Sequence, residues 1–166
     1  MDDSVGNVRA LFHGSRSANL PGILSSHLRL PKNLGKNVVI TGAMFGPGIY
    51  FASQSTKSSQ YSCSRFGGTR NKYPTAFMFI ADVALGKMYE VEDSHYFLEP
   101  PKGYDSVRGI KGQSLLHDEF IIYRENRQAL RYIIEFEPRQ KKKMGIKREG
   151  NNPSLFLFNL VFVSSR

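Results

Sequence analysis

The chain alternates short apolar stretches with clusters of glycine, proline and small polar residues. VRALFH (Val8 to His13) reads as a strand that ends at the turn signal Gly14-Ser15. NLPGILS (Asn19 to Ser25) has a proline placed for a first helical turn and predicts a short helix. Residues 31–48 carry Pro31, Gly35, Gly42, Gly46, Pro47 and Gly48 and read as a loop, and loops of this length in a compact domain are usually functional or mobile. Ile49 to Ala52 predicts a strand. Ser53 to Tyr61 predicts a helix capped by Ser53 or Ser55. AFMFIADVAL (Ala76 to Leu85) fits a buried strand, Gly86 breaks it, and Lys87 to Val91 resumes one. Residues 99–118 are turn-rich. EFIIYR (Glu119 to Arg124) and LRYIIEF (Leu130 to Phe136) are strands across a polar turn, hence candidates for an antiparallel hairpin. Strands outnumber helices, so the pattern favours an α+β fold with antiparallel sheets.

One stretch of this pattern raises a question. GPGIYFASQSTKSSQY (Gly46 to Tyr61) sets Tyr50 and Tyr61 on either side of a run of small residues. Two such aromatics can be core, or two walls of a slot for a flat ligand.

Composition narrows the setting. At 166 residues one domain is expected, long enough to bury a sizeable core. Leu155 to Val163 is about half of the ~20 residues a membrane span needs. The acidic start MDDSVGNVRA does not resemble a secretory signal. Cys63 is the single cysteine, so no internal disulfide or multi-cysteine metal site can form, and a reducing, intracellular setting is expected, nuclear or cytoplasmic rather than secreted. The net charge of +9 is uneven: residues 139–166 hold seven of the 23 basic residues and one of the 14 acidic ones. RQKKKMGIKR within them can contact nucleic acid, act as a nuclear address or stay solvated. The expected division is a folded domain over 1–138 and a basic tail over 139–166 whose order the sequence leaves open. SLFLFNLVFV near the end of that tail is β-prone and could add a strand, form an interface or aggregate.

Three segments carry candidate chemistry. LFHGS places His13 at a strand end beside Gly14, whose bare backbone lets a ligand approach closely. GPGIYFASQSTKSSQY is the second. HDEFIIY opens an apolar strand with Glu119, whose carboxylate would point to a sheet end or cleft. Alone, each fits a structural histidine, a core tyrosine or a solvated rim carboxylate. His27, His95, Cys63, Tyr73, Tyr89, Tyr96 and Tyr104 read as surface or packing residues.

Taken in order, LFHGSRSANLPGIL, TGAMFGPGIYFA, KSSQY, DVALGKMYE, PKGYDSVRG and DEFIIYRENRQALRYIIEFE resemble the catalytic domain of the poly(ADP-ribose) polymerase family, over about residues 8 to 137. The resemblance implies the ADP-ribosyltransferase fold, two packed antiparallel sheets with short flanking helices and a cleft for NAD as co-substrate. It implies that Tyr50 and Tyr61 sandwich nicotinamide, that the Gly14 backbone and Ser58 hydroxyl hold its carboxamide, and that His13 orients the ribose. Ser15, Asn19 and Arg29 match positions on the adenosine side. Glu119 matches the catalytic carboxylate, with His13 and Tyr50 completing the His-Tyr-Glu set. Lys57 and Met44 match positions linked to acceptor or chain-extension chemistry. Ala43 stands where family polymerases often carry tyrosine. No metal is implied. The expected activity is cleavage of the nicotinamide–ribose bond of NAD and transfer of ADP-ribose to a macromolecular acceptor (a protein, the enzyme itself or nucleic acid), as a polymer or oligomer. The alternative is a catalytically silent NAD- or ADP-ribose-binding module brought to nucleic acid by residues 139–148. A membrane partner is not expected.

Overall fold

The computed structural model describes residues 1–35, 43–62, 75–137 and, through their backbone, 158–162. Cys63, Tyr73 and the basic stretch 139–148 lie outside the described residues. The elements are β1 (Val8–Gly14), α1 (Leu20–Ser26), β2 (Ile49–Ala52), α2 (Ser55–Ser62), β3 (Ala76–Ala84), β4 (Met88–Val91), β5 (Ser106–Gly109), β6 (Glu119–Ile122), β7 (Gln128–Phe136) and β8 (Phe158–Phe162). Single turns of 3₁₀-helix precede α1 and follow at Pro31–Asn33 and Glu125–Arg127.

Hydrogen bonding runs through all eight strands in the order β4-β5-β6-β2-β1-β3-β7-β8. Its joint is narrow. β1 and β2 share one register pair, Phe12↔Ala52, whereas β1 and β3 share seven, from Val8↔Ala84 to Gly14↔Met78. The sheet therefore divides into a half made of β4, β5, β6 and β2 and a half made of β1, β3, β7 and β8.

Three sequence expectations need correction. The sheet is mixed, because β4 and β5 pair in parallel. Residues 92–105 between them give the long return that parallel pairing requires. β5 itself lies inside the stretch read as turns. Finally, β6 and β7 do not form a hairpin. β6 has both edges occupied, by β2 and β5, while β7 lies between β3 and β8. The polar turn after β6 instead crosses from one half to the other. There, buried Arg127 donates from Nη1 to the Asp105 carbonyl at 3.0 Å, and Gln128 Nε2 donates to the Leu28 carbonyl at 3.3 Å. Of the three readings of the terminal apolar run, the added strand is the one observed: Phe158–Phe162 pairs antiparallel with Tyr132–Phe136.

The main core lies where the two halves face each other. Leu11, Phe79, Ala81, Val83, Leu130 and Ile133 of one half meet Ile49, Phe51, Phe120 and Ile122 of the other. Strand alternation sends Ala76 and Met78 to the opposite face of β3, with Ile134 and Phe136 of β7. Leu130 and Ile133 share a face despite their odd spacing, because a bulge opposite Ile80 and Ala81 shifts the register. Burying a Phe or Leu side chain stabilises the fold by about 1.5–3 kcal/mol.

α2 packs differently. Its buried residues are Ser58 and Ser62 rather than large apolar ones. Small side chains let the helix lie almost on the backbone of β1: a Cβ added at Gly14 would sit 1.8 Å from the Ser58 carbonyl oxygen. Ser62 Oγ donates to the Phe77 carbonyl of β3. The run of small hydroxyl residues is thus the surface of a close helix–strand approach.

Candidate active site

The ends of β1, β2, α2 and β6 meet at a cavity of about 400 Å³, whose wall continues along α1 and the segment after it. His13 enters it from the end of β1. Its Nδ1 lies 2.8 Å from the Tyr50 carbonyl oxygen. A carbonyl can only accept, so Nδ1 carries the proton and, in the neutral ring, Nε2 keeps a lone pair. Burial pushes the His13 pKa down, against a smaller opposing effect of this hydrogen bond, and so favours that neutral form. The ring packs on Phe51, with centroids 5.7 Å apart.

Tyr50 follows from β2, half-buried against the cluster of Phe45, Val107, Leu115 and Ile121. Its hydroxyl donates to the Gly46 carbonyl at 2.7 Å and accepts from the Phe45 amide at 3.0 Å. Both bonds tie the phenol back onto the preceding loop, and burial raises its pKa well above the usual phenol range. Gly46 takes φ +89°, and a Cβ there would strike the Phe97 carbonyl oxygen at 1.8 Å. Glycine is thus required at the turn that Tyr50 clamps. Tyr61, near the end of α2, is half-buried in the same wall, and burial raises its pKa too.

Glu119 opens β6 and is 5% exposed. Its backbone pairs with Ala52 and Gly109. Its carboxylate forms an ion pair with the Lys57 ammonium. One turn along α2, the Tyr61 ring lies 5.9 Å from the same ammonium. A buried carboxylate in a cavity of aromatic rings and a neutral imidazole is placed to stabilise positive charge on a bound molecule.

Along the outer wall, Asn19 Nδ2 donates to Ser15 Oγ at 3.0 Å. Arg29 Nε donates to Glu125 Oε2 at 2.9 Å, and the same carboxylate accepts from the Leu30 amide and from Asn33 Nδ2 at 2.6 and 2.8 Å. Burial opposes ionisation of Glu125, but these three hydrogen bonds outweigh it and hold its pKa below the usual carboxylate range.

All eight residues expected to bind the dinucleotide line this one cavity, together with Lys57 and Glu119. Met44 does not line it; its side chain is exposed on the adjoining loop. Glu125 escaped the sequence reading. Its signal was slight, one acid in the turn ENRQ after an apolar strand, and its partners stand more than ninety positions away. His27 also lines the cavity.

Comparison with known proteins identifies the family. Residues 2–114 match the poly(ADP-ribose) polymerase catalytic domain. The chain is 38% identical over 142 residues to protein mono-ADP-ribosyltransferase PARP4 of Homo sapiens, covering 80% of this chain and 8% of that protein. It is 36% identical over 124 residues to poly [ADP-ribose] polymerase 1 of Oryza sativa subsp. japonica, covering 75% and 12%. It is 29% identical over 169 residues to poly [ADP-ribose] polymerase 1 of Arabidopsis thaliana, covering 84% and 16%. The chain belongs to the poly(ADP-ribose) polymerase catalytic domain family, whose members are NAD-dependent ADP-ribosyltransferases with an α+β fold. It spans 8% to 16% of the length of these three relatives.

Proposed function

We propose that the chain cleaves the nicotinamide–ribose bond of NAD and transfers ADP-ribose to a macromolecular acceptor, a protein or the chain itself, in more than one unit. The observation that carries this reading is the convergence of buried Glu119, the His13 imidazole and the Tyr50 and Tyr61 rings on one cavity. We read the two halves of the sheet as the two packed sheets of the family fold, with the cleft at their joint.

Nicotinamide lies between Tyr50 and Tyr61, where offset stacking suits an electron-poor ring. The Gly14 backbone and the Ser58 hydroxyl hold its carboxamide. Nε2 of His13 accepts a hydrogen bond from a ribose hydroxyl and fixes the sugar. Ser15, Asn19 and Arg29 take the adenosine side. As the C1′–N bond breaks, its electron pair leaves with nicotinamide and the ribose becomes oxocarbenium-like. The Glu119 carboxylate stabilises that charge more than it stabilises the ground state, which lowers the barrier. An acceptor nucleophile, polarised by Glu119, then bonds C1′, and its proton passes to solvent. Glu119 with Lys57 beside it supports extension beyond one unit, with Met44 on the acceptor side; the relatives' names divide between mono- and poly-transfer. The basic residues 139–148 suit nucleic acid and a nuclear setting.

The test is label transfer from labelled NAD by the wild type and Glu119→Gln, with and without DNA or RNA, resolved by size. We expect transfer to fall at least a hundredfold in the variant, and a ladder or smear from the wild type. A sharp band would replace extension by single transfer. Bound NAD with no label transfer and no nicotinamide release would reduce the chain to a binding module.

A further inference from the structure

His27 ends α1 with φ 60° and ψ −172°. A Cβ in this conformation crowds its own backbone, so the region belongs almost wholly to glycine. Among the described residues Asn7, at φ 50°, is the other non-glycine with positive φ. Asparagine visits left-handed backbone with little difficulty. Histidine at an extended ψ does not. Strain of this kind persists where surrounding structure holds it, and it concentrates at ligand sites.

His27 is solvent-exposed, yet it lines the same cavity as Tyr50 and Glu119. Along residues 23–34 the rest of that wall is Ile23, Leu28, Pro31 and Leu34, all apolar, the small Ser26, and Arg29, whose charge is already met by Glu125. A wall of apolar side chains, an imidazole and a neutralised guanidinium suits a flat, uncharged heteroaromatic ring better than a phosphate.

A dinucleotide brings two such rings. The proposed function assigns one to Tyr50 and Tyr61. Resting on that reading, we propose that His27 is a specificity-determining residue for the other: its imidazole stacks on the adenine base of NAD at the outer end of the cavity. The strained backbone sets the imidazole at the cavity rim, where glycine would leave that part of the wall open. The affinity gained is for the adenine portion alone, so ligands that fill only the inner end do not sense it.

The experiment titrates the full chain with NAD and, separately, with nicotinamide mononucleotide, which lacks the adenosine. The variants are His27→Ala, His27→Gly and His27→Phe. Removing the ring in the first two is expected to weaken NAD binding roughly five- to tenfold, the scale of lost base–aromatic stacking, and to leave the mononucleotide unchanged. His27→Phe, which keeps a ring, retains NAD affinity. His27→Gly also raises Tm above the wild type by relieving the strain. Unchanged NAD affinity in His27→Ala overturns the proposal, even if His27→Gly is weakened, because loop freedom would then explain the effect. An equal loss for the mononucleotide overturns it too. If the wild type binds neither ligand, the proposed function fails first and this inference falls with it.

Discussion

Lys57 of α2 and Glu119 of β6 form an ion pair in the cavity wall, with 19% and 7% of their side chains exposed. Elements from distant parts of the sequence thereby close on the same point. Removing one member of a buried pair leaves the other charge uncompensated, at a cost of about 3 kcal/mol. Lys57→Met should lower the unfolding free energy by roughly that amount. The double variant with Glu119→Gln should lose clearly less than the sum of the two singles. Denaturant titration of all four proteins checks this, and additivity within about 0.5 kcal/mol would show that the two groups do not interact.

The half-buried His13 imidazole makes stability depend on pH. Its pKa is lowered in the folded state from the ordinary 6.5. As pH falls below about 6.5 the unfolded chain takes up a proton that the native state refuses, so the balance shifts toward unfolding. The contribution of neutral His13 is complete above that pH and is lost on acidification toward its folded pKa. Asp118 and Glu125 have lowered pKa values as well, but carboxylates act only at lower pH. His13→Gln, which can still donate to the Tyr50 carbonyl, should flatten the stability profile between about pH 6.5 and 5. An unchanged slope in the variant would place the effect elsewhere.

Two glycines should respond oppositely to the same methyl group. At Gly14 it would collide with the Ser58 backbone at 1.8 Å, while at Gly22 it meets nothing within 4 Å. Gly14→Ala should cost on the order of 3–5 kcal/mol and lower Tm by about 10 °C, since α2 must leave β1. Gly22→Ala lies within α1 and should be neutral or stabilising by up to about 1 kcal/mol. Calorimetric melting of the two variants decides. Similar Tm values for both would mean that α2 does not lie as close to β1 as described.

Much of this was legible locally. Ile49–Ala52 has its predicted bounds, and β1 and β3 differ from theirs by one residue, because an apolar run between glycine or loop signals states its own limits. β5 was hidden because Ser106-Val107-Arg108-Gly109 offers a single apolar side chain. What makes it a strand is tertiary: Ser106 Oγ donates to the Leu85 carbonyl at 2.7 Å, and Arg108 grips Asp118 through Nε and Nη2 at 3.1 and 2.6 Å. The absent hairpin has a similar cause. Sequence proximity favours pairing β6 with β7, but β6 is buried along its whole length and satisfied by β2 and β5.

The site shows the same division. The family resemblance in motif order singled out His13, Gly14, Tyr50, Ser58, Tyr61 and Glu119 as candidates, and the structure brings them to one cavity. The ion pairs that hold these residues were invisible. Nothing in KSSQY indicates that Lys57 reaches Glu119, and nothing in HLRL shows that Glu125 restrains Arg29. Such contacts depend on how distant strands are ordered in the sheet.

The single register pair between β1 and β2 makes the molecule two plates on one pin. His13 and Gly14 ride on one plate, Tyr50 and Glu119 on the other, and the His13–Tyr50 hydrogen bond ties the two across the seam, as the Ser106–Leu85 hydrogen bond also does. A dinucleotide that touches both plates acts as a further fastener. Its occupancy should therefore be recorded away from the cleft, as slower amide exchange at Phe12 and Ala52, so that the pin itself reports whether the slot is filled.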